Sequence, residues 1–290
     1  MSSQALCFQN IAVAANPQVK EAANEAEKIA THLNELGIRN YHGLLYDESL
    51  RKRVNNGEFD LLIALGGDGT MLRAGHLCGP SNVPILGINL GRFGFLTEVK
   101  RDEWLQVMPR LLSGDCWVEK RMMLTAEQWR DERVLDSWEV LNETVISRGK
   151  VVRPLHFYAY VDGRLLTTYV ADALIAATPT GSTAYALAAG GPILPPELRN
   201  ILLVPVAPHM SFDRAIVLAE GSTVSITAEA DHPAMLSLDG QMPIQLANKD
   251  RVDVHASNHS VQFVRFQDPG YFYRNLTQHM NKNSSTGNHR

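Results

Sequence analysis

Apolar positions in the first third of the chain follow two rhythms. "IAVAAN", from Ile11, and the run Leu61 to Leu65 are short and continuously apolar, the pattern of strands buried on both faces. Between them, Val19, Ala22, Ala23, Ala26, Ile29, Ala30 and Leu33 recur at three- and four-residue steps, which predicts an amphipathic helix. Asn16-Pro17 offers that helix an N-cap and a first-turn proline, and Gly37 ends it. "VPILGINLG" predicts another strand, with a helix before it from Thr70. Asp102 to Leu112 reads as helical, and Pro109 predicts a kink or break within it. Strand and helix alternating at these lengths predict an α/β domain with an open, largely parallel sheet.

Beyond about Cys116 the period shortens to two. "HFYAYVDGRLLTTYV" is two alternating runs joined by Asp162-Gly163, a hairpin signal. "AIVLAEGSTVSITAEA" predicts the same around Gly221, and "MLSLDGQMPIQL" around Asp239-Gly240. "RVDVHASNHSVQFVRF" continues the alternation, so this half is predicted to be all-β, in layered antiparallel sheets. "DPGYFYRNLTQHMN" is helical in character again. The predicted domains are therefore residues 1–116 (α/β), 117–267 (β), and 268–290, a C-terminal segment packing back on the first domain with a disordered tail from about residue 281. A chain of 290 residues can support two such cores.

A formal net charge of −4 gives no electrostatic case for nucleic acid or an anionic membrane as the main partner. Arg51-Lys52-Arg53, a compact basic cluster, reads as a solvated helix face. The N-terminus lacks a secretory pattern, and no apolar run approaches a membrane span. Cys7, Cys78 and Cys116 are scattered and odd in number, which predicts reduced thiols in the cytoplasm. His255 and His259 lie four apart in strand-like surroundings, a poor match to a zinc pair, and His209 reads as part of a turn.

Three stretches carry candidate chemistry. Gly66-Gly67-Asp68-Gly69-Thr70 stands between a strand and a helix, where open α/β sheets bind ligands. Glycines let backbone amides approach a phosphate, and a helix N-terminus adds partial positive charge. A plain tight turn explains the pentapeptide equally well. In "ADALIAATPTGSTAYALAAGGPILPP", hydroxyls at Thr178, Thr180, Ser182 and Thr183 crowd around Pro179 and Gly181. That arrangement suits adenosine or sugar recognition. Taken alone, it reads better as a capped turn before a short helix. Asn142-Glu143, polar between apolar flanks in "WEVLNETVISRG", is either a ligand contact or a bend between strands. Neither GxGxxG nor GxxxxGK[ST] is present.

Together these stretches resemble the NAD kinase family, which phosphorylates the 2′-hydroxyl of NAD's adenosine ribose to give NADP. The resemblance runs from roughly Asp60 to Gln241 and rests on "GGDGT", "VPILGINLGRFGFLTEV", "LNETVISRG", "TPTGSTAYALAAGGPI" and the "DGQ" at Asp239 to Gln241. "GGDGT" is shared with lipid kinases, whereas "TPTGSTAY" behind "LNE" is specific. The resemblance implies an N-terminal α/β domain, a C-terminal β domain, and an active site in the cleft between them. It also implies a homodimer or homotetramer with site residues shared between subunits, and Mg²⁺ or another divalent cation travelling with ATP.

Carried over position by position, Asp68 is the catalytic carboxylate against the ribose hydroxyl. Gly66, Gly67, Gly69 and Thr70 form the turn around substrate and phosphate, and Arg73 assists with charge. Asn142 and Glu143 match the pair on the adenosine portion. Arg153 and Asp172 match further substrate contacts, Asp172 toward the nicotinamide. Thr180, Thr183, Ala184, Tyr185 and Ala188 match the loop gripping the adenine end, and Gln241 a late contact. The chain departs from many members in having Asp172-Ala173-Leu174 for "DGL" and Ala177 for the serine of "STPTGS". Phosphoryl transfer needs alignment and charge stabilisation more than covalent chemistry. A carboxylate is a weak base at neutral pH, so Asp68 is expected to orient the hydroxyl and take its proton late. Two other readings share part of this pattern: a lipid or sugar kinase with "GGDGT", and a non-catalytic NAD(P)-binding sensor.

Overall fold

The computed structural model describes residues 8–91, 94–210 and 212–282. Cys7 and most of the polar tail lie outside them. Two compact units emerge, one from residues up to Lys120 together with those from Val261 on, the other from Arg121–Ser260. The divisions fall inside two long strands, Trp117–Arg130 and Arg251–Arg265.

The first unit opens with β1 (Asn10–Ala15), α1 (Ala22–Glu35), β2 (Arg39–Leu44), α2 (Glu48–Asn55), β3 (Leu61–Gly66), α3 (Asp68–Cys78), β4 (Ile85–Asn89), β5 (Val99–Lys100) and α4 (Trp104–Ser113). β2, β1, β3 and β4 lie side by side and parallel, with β5 beside β4. β3 and β4 are buried along their whole length because helices cover both faces of such a sheet. The edge strand β2 is only partly buried, with Arg39 and His42 exposed, as its polar "RNYHGL" requires. Gly66 pairs with Asn89 at the carboxyl ends of β3 and β4, where the candidate turn begins.

Two local expectations needed correction. α1 starts at Ala22, not at Asn16-Pro17, with residues 17–20 in turns before it. Asn16 caps that turn rather than α1: its Oδ1 accepts the Gln18 amide at 2.9 Å, and its Nδ2 donates to Thr70 Oγ1 at 2.8 Å. Pro109 does not end α4, which continues to Ser113 and stops at Gly114 in the left-handed region (φ +75°). The proline ring sits on the exposed side, while burial of Trp104, Met108 and Leu111 holds the helix to the core. Arg51 and Lys52 are solvated as expected, and Arg53 stacks on Tyr41 and Phe59.

The second unit takes β6 (Trp117–Arg130) from Arg121 on, then β7 (Arg133–Val140), β8 (Glu143–Arg148), β9 (Leu155–Val161), β10 (Arg164–Ala171), β11 (Ala173–Ala177), the four-residue α5 (Tyr185–Ala188), β12 (Asn200–Val206), β13 (Ile216–Ala219), β14 (Val224–Glu229), β15 (Ala234–Leu238) and β16 (Ile244–Leu246). It ends with the start of β17 (Arg251–Arg265), whose last residues return to the first unit with α6 (Tyr271–Lys282). One antiparallel sheet runs β10-β9-β14-β17, and another runs β13-β12-β11-β8-β15-β16. Their facing sides interdigitate, Phe157, Tyr169 and Ile226 against Ile146, Leu174 and Leu203.

The Asp162-Gly163 hairpin has positive φ at both turn residues, +50° and +75°. Asp239-Gly240 links β15 to its partner β16. Gly221 does not make a hairpin: β13 pairs with β12 in one sheet and β14 with β9 and β17 in the other. Alternation identified both strands, but their partners lie far away in sequence. β11, "ALIAA", is buried on both faces. Leu174 and Ala176 enter the inter-sheet core, whereas Ala173, Ile175 and Ala177 pack under Ala186 and Leu194 of the following loop. The threonine-rich stretch is therefore the lid of a second small core.

Candidate active site

The first constellation grows from the end of β3. A Cβ on Gly66 would lie 2.1 Å from Thr70 Oγ1, so only glycine lets the strand turn against its own helix. Gly66 and Thr70 thus shape the turn, and Asn16, just after β1, buttresses Thr70. Gly67 and Gly69 differ. A Cβ on either would meet nothing of the chain within 4 Å, beyond its immediate surroundings. Asp68 opens α3, beside the partial positive charge of that helix N-terminus. Its carboxylate accepts the Phe95 amide at 2.8 Å and the Leu96 amide at 3.0 Å. A carboxylate has about four lone-pair positions, so two amides leave acceptor capacity for a further donor. Gly94 makes this approach possible, because a Cβ there would lie 2.1–2.3 Å from the Asp68 carboxylate atoms. Arg73 is exposed on α3, its guanidinium 5.3 Å from the centre of the Tyr46 ring.

The second constellation is the corner between β7 and β8. Leu141, Asn142 and Glu143 all donate their amides to the Asp239 carboxylate, at 2.8, 2.7 and 2.9 Å. The Asp239 amide in turn donates to the Glu143 carbonyl at 3.0 Å. The Thr178 amide donates to the Asn142 carbonyl and the Thr178 hydroxyl to the Leu141 carbonyl, at 2.9 and 2.6 Å. Gly181 passes so close that a Cβ would fall 2.1 Å from the Asn142 oxygen. Ser182 Oγ bridges the loop to Leu194, and Arg121 reaches Thr180 Oγ1 at 3.3 Å. The expected turn before a short helix is present: a 3₁₀ turn, Gly181–Thr183, precedes α5.

Glu143 is buried within this corner at 7% exposure, and its Oε2 has no hydrogen-bond partner. Burial raises its pKa to about 8, reinforced by the charge of Asp239 and opposed by the Tyr185 amide. At neutral pH Glu143 therefore carries a proton. Asn142, Glu143, Thr180 and Thr183 come together here with Ala184 and Tyr185, whose side chain is exposed; Ala188 lies on the exposed side of α5.

Arg153 and Asp172 stand elsewhere. Asp172 precedes β11 and lies 3.0 Å from Arg148 Nε at the far end of the β8–β11 ladder, while Thr178 follows β11. Six residue steps of extended chain separate them, about 20 Å. Arg153 is solvent-exposed and paired with Asp231 at 3.1 Å. Gln241 is exposed in the β15–β16 loop. Sequence reasoning missed Gly94, Asp239 and Asn16 as supports of the site. The first two lay inside quoted motifs, "GRFGFLTEV" and "DGQ", but their partners are distant in sequence.

Residues 17–116 match the model of the ATP-NAD kinase N-terminal domain, and residues 141–266 that of the ATP-NAD kinase C-terminal domain. The chain belongs to the NAD kinase family. It is 37% identical over 276 residues to an NAD kinase of Chloroflexus aurantiacus, covering 95% of this chain and 99% of that one. Identity to an NAD kinase of Dehalococcoides mccartyi is 34% over 281 residues, 96% of this chain and 98% of the other. Among solved structures, yeast NADH kinase complexed with NADH superposes with a TM-score of 0.83 at 25% identity, covering 98% of this chain and 91% of that one. An Archaeoglobus fulgidus NAD kinase in complex with ATP shares the fold, with a TM-score of 0.76 at 24% identity, over 95% and 100% of the two chains.

Proposed function

We propose that this member of the NAD kinase family transfers the terminal phosphoryl group of ATP to the 2′-hydroxyl of the adenosine ribose of NAD. The products are NADP and ADP. The observation that carries the residue assignment is the Asp68 carboxylate, held by two amides yet retaining acceptor capacity, beside glycines with open space above them. Asp68 orients the ribose hydroxyl and takes its proton as the new O–P bond forms. Gly67 and Gly69 leave room for phosphate, and the N-terminus of α3 favours its charge. Asn142 and protonated Glu143 hold the adenosine, with Thr180, Thr183, Ala184, Tyr185 and Ala188 at the adenine end; Gln241 makes a later contact.

Mg²⁺ enters on the ATP phosphates, since it keeps most of its ligands as water and phosphate oxygen. Among the described residues no group of three or more His, Cys, Asp or Glu side chains could hold a metal ion. No described helix is long and apolar enough to cross a membrane. Cys78 and Cys116 are free thiols, which supports a cytoplasmic enzyme. The roughly 20 Å between Asp172 and the Thr178 end of the ladder supports a homodimer or homotetramer in which Arg153 and Asp172 serve a neighbouring subunit.

Purified protein incubated with NAD, ATP and Mg²⁺ should yield NADP, detected with an NADP-specific dehydrogenase. Folded protein that binds NAD but makes no NADP with any donor would overturn the reading in favour of a sensor. Mixing inactive Asp68→Asn and Asp172→Asn chains should restore activity if sites are shared, and leave it absent if each subunit works alone.

A further inference from the structure

Arg265, the last residue of β17, is 1% exposed and makes three hydrogen bonds. Its Nε and Nη2 donate to Glu119 Oε2 at 2.9 and 2.8 Å, and its Nη1 donates to the Leu96 carbonyl at 3.0 Å. Tyr271 of α6 adds its hydroxyl to Glu119 at 2.9 Å. Glu98 clamps the same region from the other side, accepting the Gln267 amide at 2.7 Å and the Phe266 amide at 3.2 Å. The segment 94–98 is thus stapled at Leu96 and Glu98 to the returning end of the chain. The amides of Phe95 and Leu96, in that segment, are the ones that hold Asp68.

We propose that Arg265 is a positioning residue for Asp68: the buried Glu119–Arg265 pair fixes the Leu96 backbone, and through it the angle of the carboxylate. The inference rests on the reading of Asp68 as the catalytic carboxylate. The guanidinium is suited to this because its planar fork reaches a carboxylate and a carbonyl at once. An ammonium at the same site keeps the charge but loses the fixed fork. Arg265 itself touches no reacting atom; its effect passes entirely through backbone position.

The test is steady-state kinetics of Arg265→Lys at saturating ATP and Mg²⁺ with varied NAD. kcat should fall on the order of 10- to 100-fold while KM for NAD stays within about twofold, since small misplacements of a reacting group carry costs of that size. In Asp68→Asn/Arg265→Lys the second substitution should add no further loss, because it acts through the carboxylate already removed. Glu25→Gln, at a buried polar cluster with Trp104 and Arg101, serves as the control. It should lower the melting temperature without lowering kcat per folded enzyme. Unchanged kcat in Arg265→Lys, or a further additive loss in the double variant, would overturn the positioning role. If Arg265→Lys does not fold, Glu119→Gln, equal in size, is read by the same criteria. Wild-type turnover in Asp68→Asn would instead overturn the assignment of Asp68 itself.

Discussion

Asp68 and Asp239 each sit beside a glycine in a tight turn, and each gives its carboxylate to backbone amides of a distant segment. Their surroundings then diverge. Asp239 binds three consecutive amides and holds a corner that the Thr178 loop covers. Asp68 binds two, and the glycines on either side of it face open space. An amide-bound aspartate is thus no mark of catalysis by itself. On the proposed assignment, spare lone pairs and room for a ligand are what separate Asp68 as the reactive carboxylate from Asp239 as a structural one.

The sharpest way to break that contrast is to neutralise each aspartate. Asp68→Asn should lose turnover by about 10² to 10⁴, the usual weight of a positioned general base. Its melting temperature should fall only modestly, since the asparagine oxygen still accepts one of the two amides, and NAD should still bind in calorimetry. Asp239→Ala should do the reverse. It leaves three amides without their acceptor and should destabilise its unit by about 3 kcal/mol, read from denaturant titration, with turnover per folded enzyme much less affected. Comparable kinetic losses in the two variants would erase the distinction.

Glycine substitutions sharpen it further. Gly94→Ala pushes a Cβ into the Asp68 carboxylate and should cost about 10² in kcat by displacing it. Gly69→Ala meets nothing in the chain and should fold normally. Its cost should appear as a KM for ATP raised roughly tenfold, about 1.4 kcal/mol of lost binding. An unchanged KM would show that no phosphate uses that space.

The two regions also differed in how much their sequence revealed. The Asp68 turn was legible because it is local: strand, glycines and helix follow one another from Leu61 to Cys78. Gly94, its steric partner, lay in a quoted motif, but nothing in its spacing pointed 26 residues back to Asp68. The Asp239 corner was legible only in pieces. Asn142 and Glu143 stood out as polar residues between apolar flanks, and Asp239-Gly240 as a turn, yet their union spans nearly a hundred residues. Pairing across such distances is set by sheet topology, which also explains why the strands around Gly221 were recognised while their partners were not. The helical and strand periods were local and held; Pro109 failed as a breaker because packing outweighed its lost hydrogen bond.

The smallest expected effect lies in Glu143, where stability and binding share one proton. Its pKa, raised to about 8 chiefly by burial, exceeds that of an exposed glutamate in the unfolded chain. Between these values the folded state binds more protons than the unfolded state, so stability falls as pH rises toward 8, by at most about 1.4 kcal/mol per pH unit. Below the unfolded pKa the contribution is fully present. Glu143→Gln mimics the protonated form and should remove that slope. Urea titrations at pH 6 and 7 on both proteins would read the difference directly. If Glu143 holds the adenosine as proposed, KM for NAD in the wild type should also rise above pH 8, where ionisation takes away a hydrogen-bond donor and leaves a charge there. Parallel pH profiles for wild type and Glu143→Gln would mean that the Glu143 proton is used neither in folding nor in binding, and that Asn142 alone carries the polar recognition at that corner.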